Sequence, residues 1–131
     1  MKGNEHMMSW TTTELEEIGN ANLMVLETTR SDGTPRKPVV VWAVRVGSEL
    51  FVRSVRGVGS AWYRAIQSQP VGRIQSGGIE RRVRFEPIDA TPVAAIDAAY
   101  RDKFGRGSAV DSITALNAQS ATVRLVPQPV E

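Results

Sequence analysis

The chain has 131 residues, no cysteine, a single histidine and a formal net charge of +2 at neutral pH. That length suits one domain over residues 1–131, large enough to fold without covalent staples. Without cysteine there are no disulfides, thiolate nucleophiles or cysteine-ligated metals, and His6 alone builds no histidine-rich site, so no metal is expected. No apolar run reaches the length of a membrane span, and residues 1–10, expected to be a flexible N-terminus, lack a signal-peptide core. A cytoplasmic protein with no membrane partner is the expectation.

Residues 11–19 read as a short amphipathic helix, with Thr13 and Glu16 as a capping box, Gly19 as its stop, and Leu15 and Ile18 facing inward. Residues 23–30 are rich in strand formers and run into the turn Ser31-Asp32-Gly33-Thr34. Residues 38–46 are apolar on both faces, which predicts a central strand covered on both sides. Gly47-Ser48 makes a hairpin into a strand over residues 50–56. Gly57, Gly59 and Ser60 then break the strand and open a helix that runs from Ser60 to about Gln67 and is ended by Pro70. Strands over 71–75 and 81–88 flank Ser76-Gly77-Gly78. Thr91-Pro92 starts a helix carrying Val93, Ile96, Tyr100 and Phe104 at helical spacing and ending at Gly105. Asp97 and Arg101 form an expected surface pair on it. A second short helix over 111–118, a last strand over 121–126 and a tail over 127–131 complete the chain. Six strands joined mostly by hairpins predict a mainly β fold: a six-stranded antiparallel barrel with short flanking helices.

Between Arg30 and Arg84 eleven basic residues face only Asp32, Glu49 and Glu80, which points to an anionic partner. The aromatics are not regularly interleaved with these charges, so nucleic acid is not the expected partner; a phosphate-bearing small molecule is. Side-chain catalysis is poorly supplied: there is no nucleophile-elbow serine and no evident carboxylate pair, so a cofactor would carry any chemistry. The strongest constellation is Arg53-Ser54-Val55-Arg56-Gly57-Val58-Gly59-Ser60, where a strand end with two guanidiniums and a hydroxyl meets a glycine-rich helix start. In a flat strand Ser54 and Arg56 share a face and Arg53 takes the other, which makes the first two the primary pair. Arg36 and Lys37 begin the preceding strand, and an antiparallel hairpin would bring them to the same end. Trp62 and Tyr63 suit either core packing or a wall beside a flat ring. Trp42 suits core or dimer interface, and Arg81, Arg82 and Arg84 suit a solvated face.

The run Thr28-Thr29-Arg30-Ser31-Asp32-Gly33-Thr34-Pro35-Arg36, the strand ending at Ser54 to Gly57, and Trp62-Tyr63 opening a helix resemble the flavin split-barrel superfamily. The deazaflavin-dependent nitroreductase type is the nearest branch, the pyridoxamine-phosphate-oxidase type a more distant one. The likeness is greater still to an uncharacterised bacterial domain-of-unknown-function branch, over residues 10–127. The resemblance implies a split barrel, a homodimer, and FMN or a deazaflavin held near the subunit interface by an oxidoreductase. The alternative is a non-catalytic flavin-, haem- or nucleotide-binding protein. By the resemblance the cofactor's phosphate falls to Arg36, Lys37, Ser54, Arg56 and the Gly57 backbone, with Trp62 and Tyr63 nearby. Arg53 stands where the family has a small or apolar residue.

Overall fold

A computed structural model describes residues 9–88 and 93–129; the expectations placed on His6, on Thr91-Pro92 and on the last two residues lie outside them. Helix α1 (Thr12–Asn20) is capped by Thr11, whose hydroxyl accepts from the Glu14 N–H while Glu14 accepts from the Thr11 N–H. The sequence offers this box twice, and the expected one, Thr13 with Glu16, is not used. Capping at Thr11 sets Trp10 just outside the helix and Leu15 at its fourth residue, the spacing of a hydrophobic staple, and both are buried in one core cluster. Gly19 stays helical, and extended Ala21 ends the helix.

All six expected strand segments form, but the described residues make seven strands, because the second segment breaks at Trp42 into β2 (Val39–Val41) and β3 (Ala43–Val46). The others are β1 (Met24–Thr28), β4 (Glu49–Arg53), β5 (Val71–Ser76), β6 (Ile79–Pro87) and β7 (Thr122–Pro127). They make one antiparallel sheet in the order β2-β1-β5-β6-β7-β4-β3. β2 and β3 therefore occupy opposite edges although one residue joins them, so the sheet must curl until its edges approach: a nearly closed split barrel. The expectation of a central strand over 38–46 is corrected here. Its apolar faces have separate causes, since Val39, Val41 and Ala43 belong to the barrel core while Trp42, Val44 and Val46 pack in an outer cluster with Phe51, Ile96 and Tyr100.

Helix α2 (Ala61–Ser68) begins at the cap Ser60. α3 (Val93–Phe104) covers the outer face of β3, and α4 (Ser108–Ile113) and α5 (Leu116–Gln119) replace the single helix expected over 111–118. They are separate because Ala115 is extended, with ψ 161°. A strand that changes edges leaves carbonyls outside the ladder, and α3 supplies donors for them. The Tyr100 hydroxyl donates to Trp42 O at 2.8 Å, and Lys103 Nζ donates to Ala43 O at 2.7 Å. The Phe104 ring stacks on Trp42 at 4.1 Å and 5°. Phe51, Ile96 and Tyr100 are almost fully buried, and side chains of this kind contribute roughly 1.5–3 kcal/mol each.

Candidate functional site

The ladder between the hairpin strands runs from Val46 opposite Glu49 to Ala43 opposite Val52 and stops there. Beyond it one chain turns off at Trp42 to pair with β1, and the other continues through residues 53–56 toward α2. The wedge between them is a cavity of about 650 Å³, within the range of small-molecule sites. Its walls are residues 39–42, 53–56 and 60–62, with Ala109, Ser112 and Ile113 of α4.

One end of the cavity is polar. Arg56 is exposed and, among the described residues, has no ion-pair partner. Ser54 is buried and its hydroxyl donates to Ser60 Oγ at 2.7 Å, while the Tyr63 N–H donates to the same oxygen at 3.3 Å. Ser60 is thereby left with its own O–H to donate. The first N–H groups of α2, those of Ala61 and Trp62 on the cavity wall, have no acceptor within the helix. Gly57 shapes this end without lining it: it is buried with φ +79° and starts the 3-10 turn Gly57–Gly59. The rest of the wall is chiefly valine and tryptophan. Trp62 is half-buried on it and meets Tyr63 edge-on at 6.1 Å, whereas Tyr63 is core. The two roles weighed for that dipeptide are thus divided between its members.

Ser54, Arg56 and Trp62 come together as the sequence suggests. Arg36 and Lys37 do not join them on the wall: both are exposed in the segment leading into β2, and the Arg36 N–H donates to Thr28 O. The hairpin argument that would carry them to the end of β4 fails because pairing switches from β4 to β1 at Trp42.

Arg53 turns to the opposite face from Ser54, where its side chain is fully buried. Nε donates to Thr122 Oγ1 at 3.0 Å, and Nη1 donates to Asp97 Oδ1 and, at 3.1 Å, to Ile113 O. The guanidinium carbon lies 5.6 Å from the Tyr100 ring centre. A charge so placed requires an opposite charge, and Asp97 supplies it while also accepting from Gln119 Nε2 at 2.9 Å. The expected Asp97–Arg101 surface pair is corrected accordingly: Asp97 is buried and faces the sheet. The signal for this was present, since Asp97 stands three residues before Tyr100 and seven before Phe104, on the inward stripe of α3. Arg81 also leaves the expected solvated face: it pairs with Glu14 at 2.6 Å and covers Trp10. In the sequence Ser60 belongs to the constellation as the helix start, but the α4 residues of the wall are missed, because α4 reaches the cavity only through tertiary packing.

No protein of curated function matches the chain. Among solved structures it is similar to a protein named F420 reductase (19% identity, 88% of this chain and 92% of that one, TM-score 0.55). It is also similar to HutZ, the heme storage protein from Vibrio cholerae (14%, 88% and 87%, TM-score 0.61), and to a proposed pyridoxamine 5'-phosphate oxidase from Listeria innocua (14%, 89% and 90%, TM-score 0.57). At these identities the likeness is one of fold, a split barrel. Residues 14–125 match the family described as "Uncharacterized protein conserved in bacteria (DUF2255)", and the chain belongs to that family.

Proposed function

We propose that the cavity binds a phosphate-bearing flavin or deazaflavin, FMN among them, and that the protein works with it as an oxidoreductase. The observation that carries this reading is one cavity in which an apolar wall with the half-buried Trp62 adjoins an end built from Arg56, the Ser60 hydroxyl and the first N–H groups of α2. A flat ring needs the first and a phosphate the second. Bound there, such a group would supply hydride or electron transfer, while the chain's residues hold the phosphate, orient the ring and keep water from its faces. Ser54 positions Ser60, and Gly57 sets the course of the turn between Arg56 and Ser60. Arg36 and Lys37, exposed upstream of β2, add attraction for the phosphate from a distance. The shared fold with proteins named F420 reductase and pyridoxamine 5'-phosphate oxidase supports the same class of ligand.

A second reading, a binding protein without turnover, is favoured by one observation: among the described residues, the titratable side chains on the wall are Arg53 and Arg56, and neither is suited to proton transfer at neutral pH. Heme storage by HutZ on the same fold is a precedent for that role. We also propose a homodimer. Val40 and Val55 on the cavity wall are more than half exposed, as are Val58 of the 3-10 turn and Leu116 of α5, which packs on that turn. A second copy of the chain would cover this apolar rim and close the cavity.

Purified protein is expected to be coloured, or to develop a perturbed flavin spectrum on titration with FMN or a deazaflavin. Arg56→Ala should weaken FMN binding by about 1.5–3 kcal/mol, the worth of a charge-assisted hydrogen bond, and leave riboflavin binding unchanged. A colourless protein that binds neither compound removes the reading, and equal losses for FMN and riboflavin remove Arg56 from the phosphate.

A further inference from the structure

Arg53 carries a buried group that the fold does not use. Of its guanidinium nitrogens, Nε is taken by Thr122 and Nη1 by Asp97 and Ile113, but Nη2 is buried with no hydrogen-bond partner. Buried donors are nearly always satisfied, and one on a charged group is the costliest to leave alone. A purely structural ion pair has no need of this arrangement, since Asp97 already accepts from both Arg53 and Gln119. The location narrows the purpose. Arg53 and Ile113, whose carbonyl receives Nη1, both line the cavity, with Ser112 alongside. The guanidinium is buried beneath α4, bonded to the carbonyl of the wall residue Ile113, on the opposite face of the strand from Ser54.

We infer that the cavity has two anchoring points, and that the second is Arg53 Nη2, which donates to a carbonyl or anionic oxygen on the ring portion of the ligand. This rests on the flavin reading above and adds the contact that selects the ring. Arg56 and Ser60 hold the phosphate; Arg53 receives the oxygen-bearing edge. Nη2 is covered in this structure, so the contact requires α4 to shift outward. The tether that joins α4 to α3 contains Gly105 and Gly107, which lack a β-carbon and so admit a wider range of backbone angles than other residues would. The same shift draws Ile113 O away from Nη1, so ligand binding at Nη2 loosens the hold of Arg53 on α4.

The test separates the two ends with probes that carry only one. Lumichrome has the ring and its carbonyls without a phosphate; inorganic phosphate has the reverse. Arg53→Lys retains a positive charge for Asp97 and loses the guanidinium fork, so it should weaken lumichrome and riboflavin by about tenfold or more and leave phosphate unaffected. Arg56→Ala should do the opposite. Lumichrome binding unchanged in Arg53→Lys overturns the inference and leaves the flavin reading standing, while parallel losses of lumichrome and phosphate overturn it by making Arg53 a structural residue. Wild-type protein that binds no ring compound overturns both. Should Arg53→Lys fail to fold, the wild type decides: lumichrome should shift the Arg53 side-chain nitrogen and proton resonances in a 15N–1H spectrum and speed amide exchange in residues 108–113. Unmoved Arg53 resonances in a protein that binds lumichrome overturn the inference.

Discussion

Gly57 takes φ +79°, and a β-carbon there would fall 2.2 Å from Asn117 Oδ1. The backbone angle opposes any other residue and the exposed Asn117 side chain would have to turn away, so Gly57→Ala should lose about 1–3 kcal/mol, read as a lower urea midpoint with the slope unchanged. Lys103 makes a different kind of demand. Burial lowers its amine from the usual 10.5 to about 8, while Nζ still donates to Ala43 O. Arg45, Asp102 and Glu16 share its small cavity. The folded protein gives up this proton before the unfolded chain does, so between about pH 8 and 10.5 unfolding takes up a proton and the Lys103 contribution to stability rises with pH. The stability difference between wild type and Lys103→Met should move in favour of the wild type from pH 7.5 to 9.5 in denaturant titrations; a constant difference would show that burial does not perturb this amine. Tyr100 has the opposite sign, because burial pushes its phenol well above the usual 10, but it is common to both proteins and cancels.

At the scale of elements, strands and helices were legible wherever local chemistry decides them. Turn glycines, the Ser60 cap and the two-residue spacing of strand side chains place six segments correctly. What the sequence did not reveal has one source, which is that partners distant in the chain choose among local options. Thr11 prevails over Thr13 because Trp10 needs the core. The strand over 38–46 breaks because its two halves pair with β1 and β4, at opposite edges of the sheet. Asp97 turns inward because Arg53, 44 residues earlier, is inside. The candidate site follows the same division. Ser54, Arg56 and Trp62 are contiguous with one glycine-rich bend and were found from it. Arg36 and Lys37 depended on an assumed strand pairing, and α4 on a packing that no local pattern announces.

For the molecule as a whole, part of the excess of positive charge from Arg30 to Arg84 is neutralised by ion pairs. Arg53 is buried with Asp97, Arg73 pairs with Glu80, and Arg81 pairs with Glu14. What remains at the cavity is Arg56, which suits one phosphate better than a polymer of them. The proposed dimer belongs to this scale too. Leu116, 82% exposed, lies outside both core clusters, so Leu116→Glu should leave the fold intact and lower the mass measured by light scattering from two chains to one. A protein that is monomeric before the substitution refutes the dimer.

The sheet order has a kinetic consequence. β7, the last strand among the described residues, lies between β6 and β4. Until it arrives, the rest consists of a four-stranded piece and a separate hairpin, tethered through Trp42 and each presenting an unpaired border to its surroundings. A chain emerging from the ribosome cannot close this barrel until residues 122–127 are available, and until then its unpaired edges are open to a neighbour.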